Sequence, residues 1–114
     1  MLEIREFEEL LNGSRDFDEA SDNRTMLWAY ENTRAEDNAR LDFNDVIWDA
    51  DIKPISRKLR MLGIKEFTIS VRQGNLTDIL AAFQELGIFI KGTIQIKSRY
   101  TEHNVISAIL MELV

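Results

Sequence analysis

From Asn44 onward the apolar residues of this chain change period three times, and each change falls at a glycine. Starting from Ile47 or Trp48, the series Ile52, Ile55, Leu59 and Leu62 steps by three and four residues, the spacing of one helix face, as far as Gly63. Phe67, Ile69 and Val71 then alternate with Thr68, Ser70 and Arg72, which is the period of a strand, up to the turn Gln73-Gly74-Asn75. Leu76, Ile79, Leu80, Phe83 and Leu86 restore the helical spacing until Gly87, after which Ile88, Ile90, Ile94 and Ile96 alternate again. Glycine ends helices because it enters the left-handed region without steric cost. The pattern therefore predicts helix, strand, helix, strand, and excludes an all-helical or all-β fold.

Val105 to Val114 is apolar on both faces and reads as a third strand, buried at its carboxyl end and lying between the other two. A right-handed strand–helix–strand crossover followed by an antiparallel return yields an α+β (or small α/β) fold with a three-stranded mixed sheet, one face covered by the helices of residues 45 to 62 and 75 to 86. Pro54 interrupts the first of these helices, so that helix either kinks or restarts after Asp51 with proline in its first turn. Gly92 marks a bulge in the second strand. Phe67, Ile69, Leu80, Phe83, Ile94, Ile96 and Ile109 are expected in one core.

Ahead of this unit, Leu2, Phe7, Leu10 and Leu11 predict a helix over about residues 2 to 11. Ser21 or Asp22 is placed to cap a second helix carrying Met26, Leu27, Tyr30 and Arg34 or Ala35, which runs to about Arg40. The stretch from Ser14 to Ala20 reads as an acidic linker or a short turn. At 114 residues the chain fits one domain, with residues 1–43 as an acidic helical layer and 44–114 as an α-β-α-β-β core.

Charge divides a little further along the chain. Residues 1–51 hold fifteen acids against five bases, and residues 52–114 five acids against nine bases. An acidic helical layer beside a mildly basic sheet accounts for the asymmetry. The chain contains no cysteine, which excludes disulfides, thiolate metal sites and cysteine nucleophiles. Nothing resembles a signal peptide or a membrane span, and a cytoplasmic protein is expected.

The residues that carry chemistry are sparse. His103 lies in a turn with no serine placed to complete a triad, so it reads as solvated, and no enzymatic activity is expected. Asp42, Asp45, Asp49 and Asp51 lack the glycine and terminal glutamate of a calcium loop, and read as helix caps and a solvated face. Neither a metal nor a cofactor is implied. The turn leaving the first strand offers a weak anion site, Ser70, Arg72, Gly74 and Asn75, where free backbone N–H groups meet a helix N-terminus. Arg57, Lys58, Arg60, Lys65, Lys91, Lys97 and Arg99 could form a basic patch with Tyr100 stacking a base, but overall acidity and the lack of a dense basic stripe speak against nucleic acid. Lys91 and Lys97 have an adequate role in blunting an edge strand.

Trp48, Ile52, Pro54-Ile55, Leu59, Gly63-Ile64, the strand Glu66-Phe67-Thr68-Ile69-Ser70, Leu80, Phe83, Leu86-Gly87 and Gly92 together resemble a family of uncharacterised small domains of bacterial mobile elements and prophages, over roughly residues 48–114. That resemblance implies a bacterial accessory protein and carries no activity. The leading expectation is thus a protein-interaction module, binding a protein partner or itself, with Trp28, Tyr30 and Trp48 as anchors. A small-anion-binding domain is the alternative. An acidic mimic of nucleic-acid phosphate ranks last, because five arginines interrupt the acidic half.

Overall fold

A computed structural model describes residues 3–12, 20–99 and 101–114 of the chain. Helix α1 (Ile4–Asn12) buries Phe7 and Leu11, one turn apart, and leaves Leu10 half exposed. Helix α2 (Ala20–Ala35) buries Met26, Ala29, Tyr30 and Thr33, which return to one helix face at steps of three or four. It stops five residues short of the expected Arg40. Asp37 adopts φ 57°, a left-handed conformation that aspartate tolerates, and the N–H of Asn38 turns back to the carbonyl of Thr33 at 3.1 Å. The proposed caps Ser21 and Asp22 fall inside α2, and the expected linker over residues 14 to 20 lies almost wholly outside the described residues.

Strand β1 (Asp42–Phe43) follows, and then a 3₁₀ turn (Asp49–Asp51) that opens helix α3 (Ile52–Met61). Pro54 therefore sits in the first turn of a restarted helix, where its missing N–H costs nothing. Gly63, at φ 72°, closes α3, with the N–H of Ile64 donating to Leu59 at 3.0 Å. Strand β2 (Glu66–Ile69), helix α4 (Leu76–Glu85), strand β3 (Ile88–Lys97) and strand β4 (Val105–Leu113) complete the chain. Gly87, at φ 79°, closes α4; beside it the Arg60 guanidinium donates to the carbonyls of Leu86 and Val114, tying α3, α4 and the end of β4 together.

The sheet has four strands in the order β1-β2-β4-β3, one more than the periodicity predicts. β4 lies between β2 and β3 and is antiparallel to both, as its apolar character implies. The added strand, β1, pairs parallel with β2, Asp42 opposite Thr68 and Phe43 opposite Ile69. One face of the sheet carries Phe43, Phe67, Ile69 and Met111, and these pack with Ile52, Ile55 and Leu59 of α3, Ile79 and Phe83 of α4, and the buried residues of α1 and α2. Phe67 meets Phe43 and Phe83 edge-on, with ring centroids 5.5 and 5.7 Å apart.

Two expected core residues are elsewhere. The β3–β4 register slips between Ile90 and Gly92, so Ile90 is opposite Met111 while Ile94 is opposite Ala108 and Ile96 opposite Ile106. One extra residue inverts every later side chain, which sends Ile94 and Ile96 to the other face, only partly buried and outside the main core. Leu80 and Ile109 pack against the core as partly buried residues. At the carboxyl end the N–H of Val114 is bonded to Gly87, yet its side chain is exposed, contrary to the expected burial.

Candidate functional site

Alternation along β1, β2 and β4 places Asp42, Thr68, Ser70, Ile106 and Ala108 on the face opposite the main core, where the inverted half of β3 adds Ile94 and Ile96. A cleft of about 290 Å³ opens there, between the end of α2 (Asn32, Glu36), the polar residues of β1 and β2, and the far end of the β3–β4 hairpin. Asp42 lines it. This carboxylate is only 6% exposed, accepting hydrogen bonds from Thr68 Oγ1 at 2.7 Å and Ser70 Oγ at 2.6 Å. Its own N–H donates to Thr33 Oγ1 at 2.9 Å, and that hydroxyl donates onward to the carbonyl of Ala29. Burial raises the Asp42 carboxyl above the ordinary range; the Ser70 and Thr68 hydroxyls oppose the rise, and the nearby Glu36 charge adds to it. None of the described residues supplies a cation to pair with it.

The expected anion site is thus divided. Ser70 and Arg72 line the cleft, but the Ser70 hydroxyl is directed at a carboxylate, an arrangement that repels an anion. Gly74 and Asn75 are exposed and lie outside the cleft lining. Asn75 precedes α4 without capping it, and accepts instead from the side chain of Gln73. The Gln73 amide grips Ile47 from both sides, accepting its N–H at 2.9 Å and donating to its carbonyl at 3.0 Å, which holds the loop between β1 and the 3₁₀ turn.

A second concavity, about 530 Å³, adjoins the cleft across Asn32 and Asn44 and is also lined by Trp28, Glu31, Ala35, Asp45 and Arg99. Trp28 is 51% exposed, with the Arg24 guanidinium 5.8 Å from its ring centre. Trp48 is 68% exposed, at the start of the 3₁₀ turn. Tyr30 differs from both. It is buried and stacked on Phe7 at 4.0 Å with the rings nearly parallel, and burial raises its phenol.

Of the four aspartates read as caps or solvated, Asp45 accepts the N–H of Val46, and Asp49 is exposed. Asp42 and Asp51 are buried, and Asp51, which precedes α3, makes no capping bond. Among the described residues no group of three or more carboxylates or histidines converges to hold a metal ion. His103 lies exposed in the β3–β4 turn. Nor do the basic residues form one patch. Lys58 is 1% exposed, with its ammonium donating to the carbonyl of Leu11 near the end of α1. Lys97 pairs with Asp37, Arg99 with Glu36, and Lys91 and Arg40 both with Glu66, whose carboxyl is lowered first by the Lys91 hydrogen bond. Tyr100 is outside the described residues.

Sequence reasoning passed over Asp42 as a site residue. Its signal was available in retrospect: an aspartate next to Leu41 and Phe43, both buried, in a segment too short to show a period.

An α+β domain with one sealed sheet face and one face cut by a polar cleft is the class that these features define. The chain belongs to a family of domains of unknown function, DUF7698, whose profile matches residues 25–113. The match begins well upstream of the residues that carried the resemblance, and it includes the cleft and both tryptophans. No curated protein and no solved structure matches the chain. No helix among the described residues is long and apolar enough to cross a membrane.

Proposed function

We propose that this domain is a non-enzymatic interaction module that receives a basic protein segment along the groove beside Trp28. The observation that carries the reading is the exposure of Trp28 at the edge of a concavity whose charged walls are Glu31, Asp45 and Arg99, the arginine being paired with Glu36. A half-exposed indole costs the free protein hydrophobic hydration and offers a partner a large apolar contact with little side-chain entropy to lose. Acidic neighbours favour lysine or arginine on the incoming chain, in keeping with the acidic first half of the sequence. Trp48 supplies a second exposed aromatic; Tyr30, being buried, leaves the set of anchors. A cytoplasmic setting, supported by the lack of cysteine and of a signal-peptide pattern, and an accessory role in a bacterial mobile element, supported by the sequence resemblance alone, are parts of the same proposal.

Affinity capture from the host, with the parent chain and the Trp28→Ala and Trp48→Ala variants compared at low and physiological salt, tests this reading. The expected result is a basic partner retained by the parent, weakened by added salt and lost from the Trp28→Ala protein. Equal capture by all three proteins, or no partner together with a strictly monomeric parent, would overturn it.

A further inference from the structure

We infer that the cleft over Asp42 binds a small apolar α-amino acid, its ammonium group on the Asp42 carboxylate and its carboxylate on the Arg72 guanidinium. This site is separate from the Trp28 groove and stands or falls independently of it.

Three observations converge on that ligand. A buried carboxylate is normally compensated by a cation of the same protein, because an isolated charge of this kind is costly to desolvate. Asp42 has two neutral hydroxyl donors instead, one on each oxygen, which leaves further acceptor positions on both. Glu36, which also lines the cleft, deepens the negative potential there even though Arg99 lies 3.4 Å from its carboxylate. Lys97 also lines the cleft, but its ammonium is held by Asp37 at 3.2 Å, so the partner left for Asp42 is a cationic group brought by a ligand.

Arg72 is exposed on the cleft wall, and among the described residues no carboxylate pairs with it. A guanidinium so placed matches a carboxylate in a two-pronged geometry. Val71, Ile96 and Ile106 supply apolar lining between the polar groups. A volume of about 290 Å³ accommodates a ligand of amino-acid size.

Calorimetric titration of the full chain at neutral pH with L-valine, L-leucine and L-methionine, and with two analogues of leucine, decides the matter. Leucine methyl ester keeps the ammonium and blocks the carboxylate; 4-methylpentanoate keeps the carboxylate and lacks the amine. The expected result is binding of at least one amino acid, at least tenfold weaker binding of the ester, and no binding of 4-methylpentanoate. Asp42→Asn should abolish binding of both amino acid and ester, and Arg72→Ala should remove the preference for the amino acid over the ester. Absence of heat with every amino acid, 4-methylpentanoate binding as well as leucine, or an Asp42→Asn protein of parental circular dichroism that retains its ligand would each overturn the assignment. If Asp42→Asn does not fold, Arg72→Ala still decides, since Arg72 is exposed and outside the core: a preference that survives in this variant refutes the two-point geometry.

Discussion

Met111 and Leu110 are neighbours on β4, both buried, and they belong to different surroundings. Met111 faces the layer built by α3 and α4 and touches a core that runs from Phe7 through Ile88. Leu110 faces away, opposite Thr68 and Gly92, next to a cleft whose floor is a carboxylate. The helix-covered face is apolar over β1, β2 and the end of β4, and turns polar and exposed only towards the hairpin tip, at Thr93, Gln95 and Ser107. The cleft face mixes isoleucines with hydroxyls, and Thr68 and Ser70 hydrogen-bond the Asp42 carboxylate without neutralising its charge. Folding energy is concentrated on the first face, and the chemical options of the molecule on the second.

The largest effect that could break this contrast comes from the sealed face. Phe83 is fully buried against Phe67, so Phe83→Ala is expected to cost about 3 to 5 kcal/mol, read as a shift in the urea midpoint. A domain of this size has about 5 to 15 kcal/mol in hand, which leaves the variant marginal. Ile94 sits on the cleft face and is half buried; Ile94→Ala is expected to cost about 1 to 2 kcal/mol, since only part of its side chain leaves water on folding. Equal costs for the two would show that both faces are cores.

Asp42 sharpens the comparison through pH. Because burial raises its folded-state pKa above the unfolded value, the folded chain holds its proton in the window between the two, where the unfolded chain has released it. Stability contributed by this group therefore falls as pH rises from the ordinary carboxylate range through the raised value. Asp42→Asn deletes that slope. Urea midpoints measured at a series of pH values should show the variant gaining on the parent as pH rises, and parallel curves would mean that the carboxylate is solvated. His103→Ala, in the exposed turn, is expected to change stability by less than about 0.5 kcal/mol and marks the baseline.

How much of this was legible depends on how local each signal is. Helices α3 and α4 and the strands β2 and β4 follow from apolar period and glycine position, both properties of a few consecutive residues. β1 does not. Two residues have no period, and the strand exists because Leu41 and Phe43 offer their carbonyls to the N–H groups of Thr68, Ser70 and Val71, some twenty-five residues away. Gly92 announced a bulge, yet counting Ile94 and Ile96 with the main core ignored the inversion that a bulge imposes. Of the aromatics, Trp28, Tyr30 and Trp48 share a composition signal, and only the packing of Phe7 separates the buried one from the exposed pair. The anion site failed to anticipate Asp42 because nothing in the spacing joins residue 42 to residue 70.

The ammonium of Lys58 ends on the carbonyl of Leu11, inside the protein and across forty-seven positions of chain. The family profile starts at residue 25, beyond that helix. Within the family the first helix and position 58 should consequently be inherited together. A relative that has shed the helix would take this oxygen away from a buried ammonium, and selection would replace that lysine with an apolar side chain or supply another oxygen from a different segment. Sequences of relatives sorted by the character of position 58 would then separate those that keep the amino-terminal helix from those that never had it.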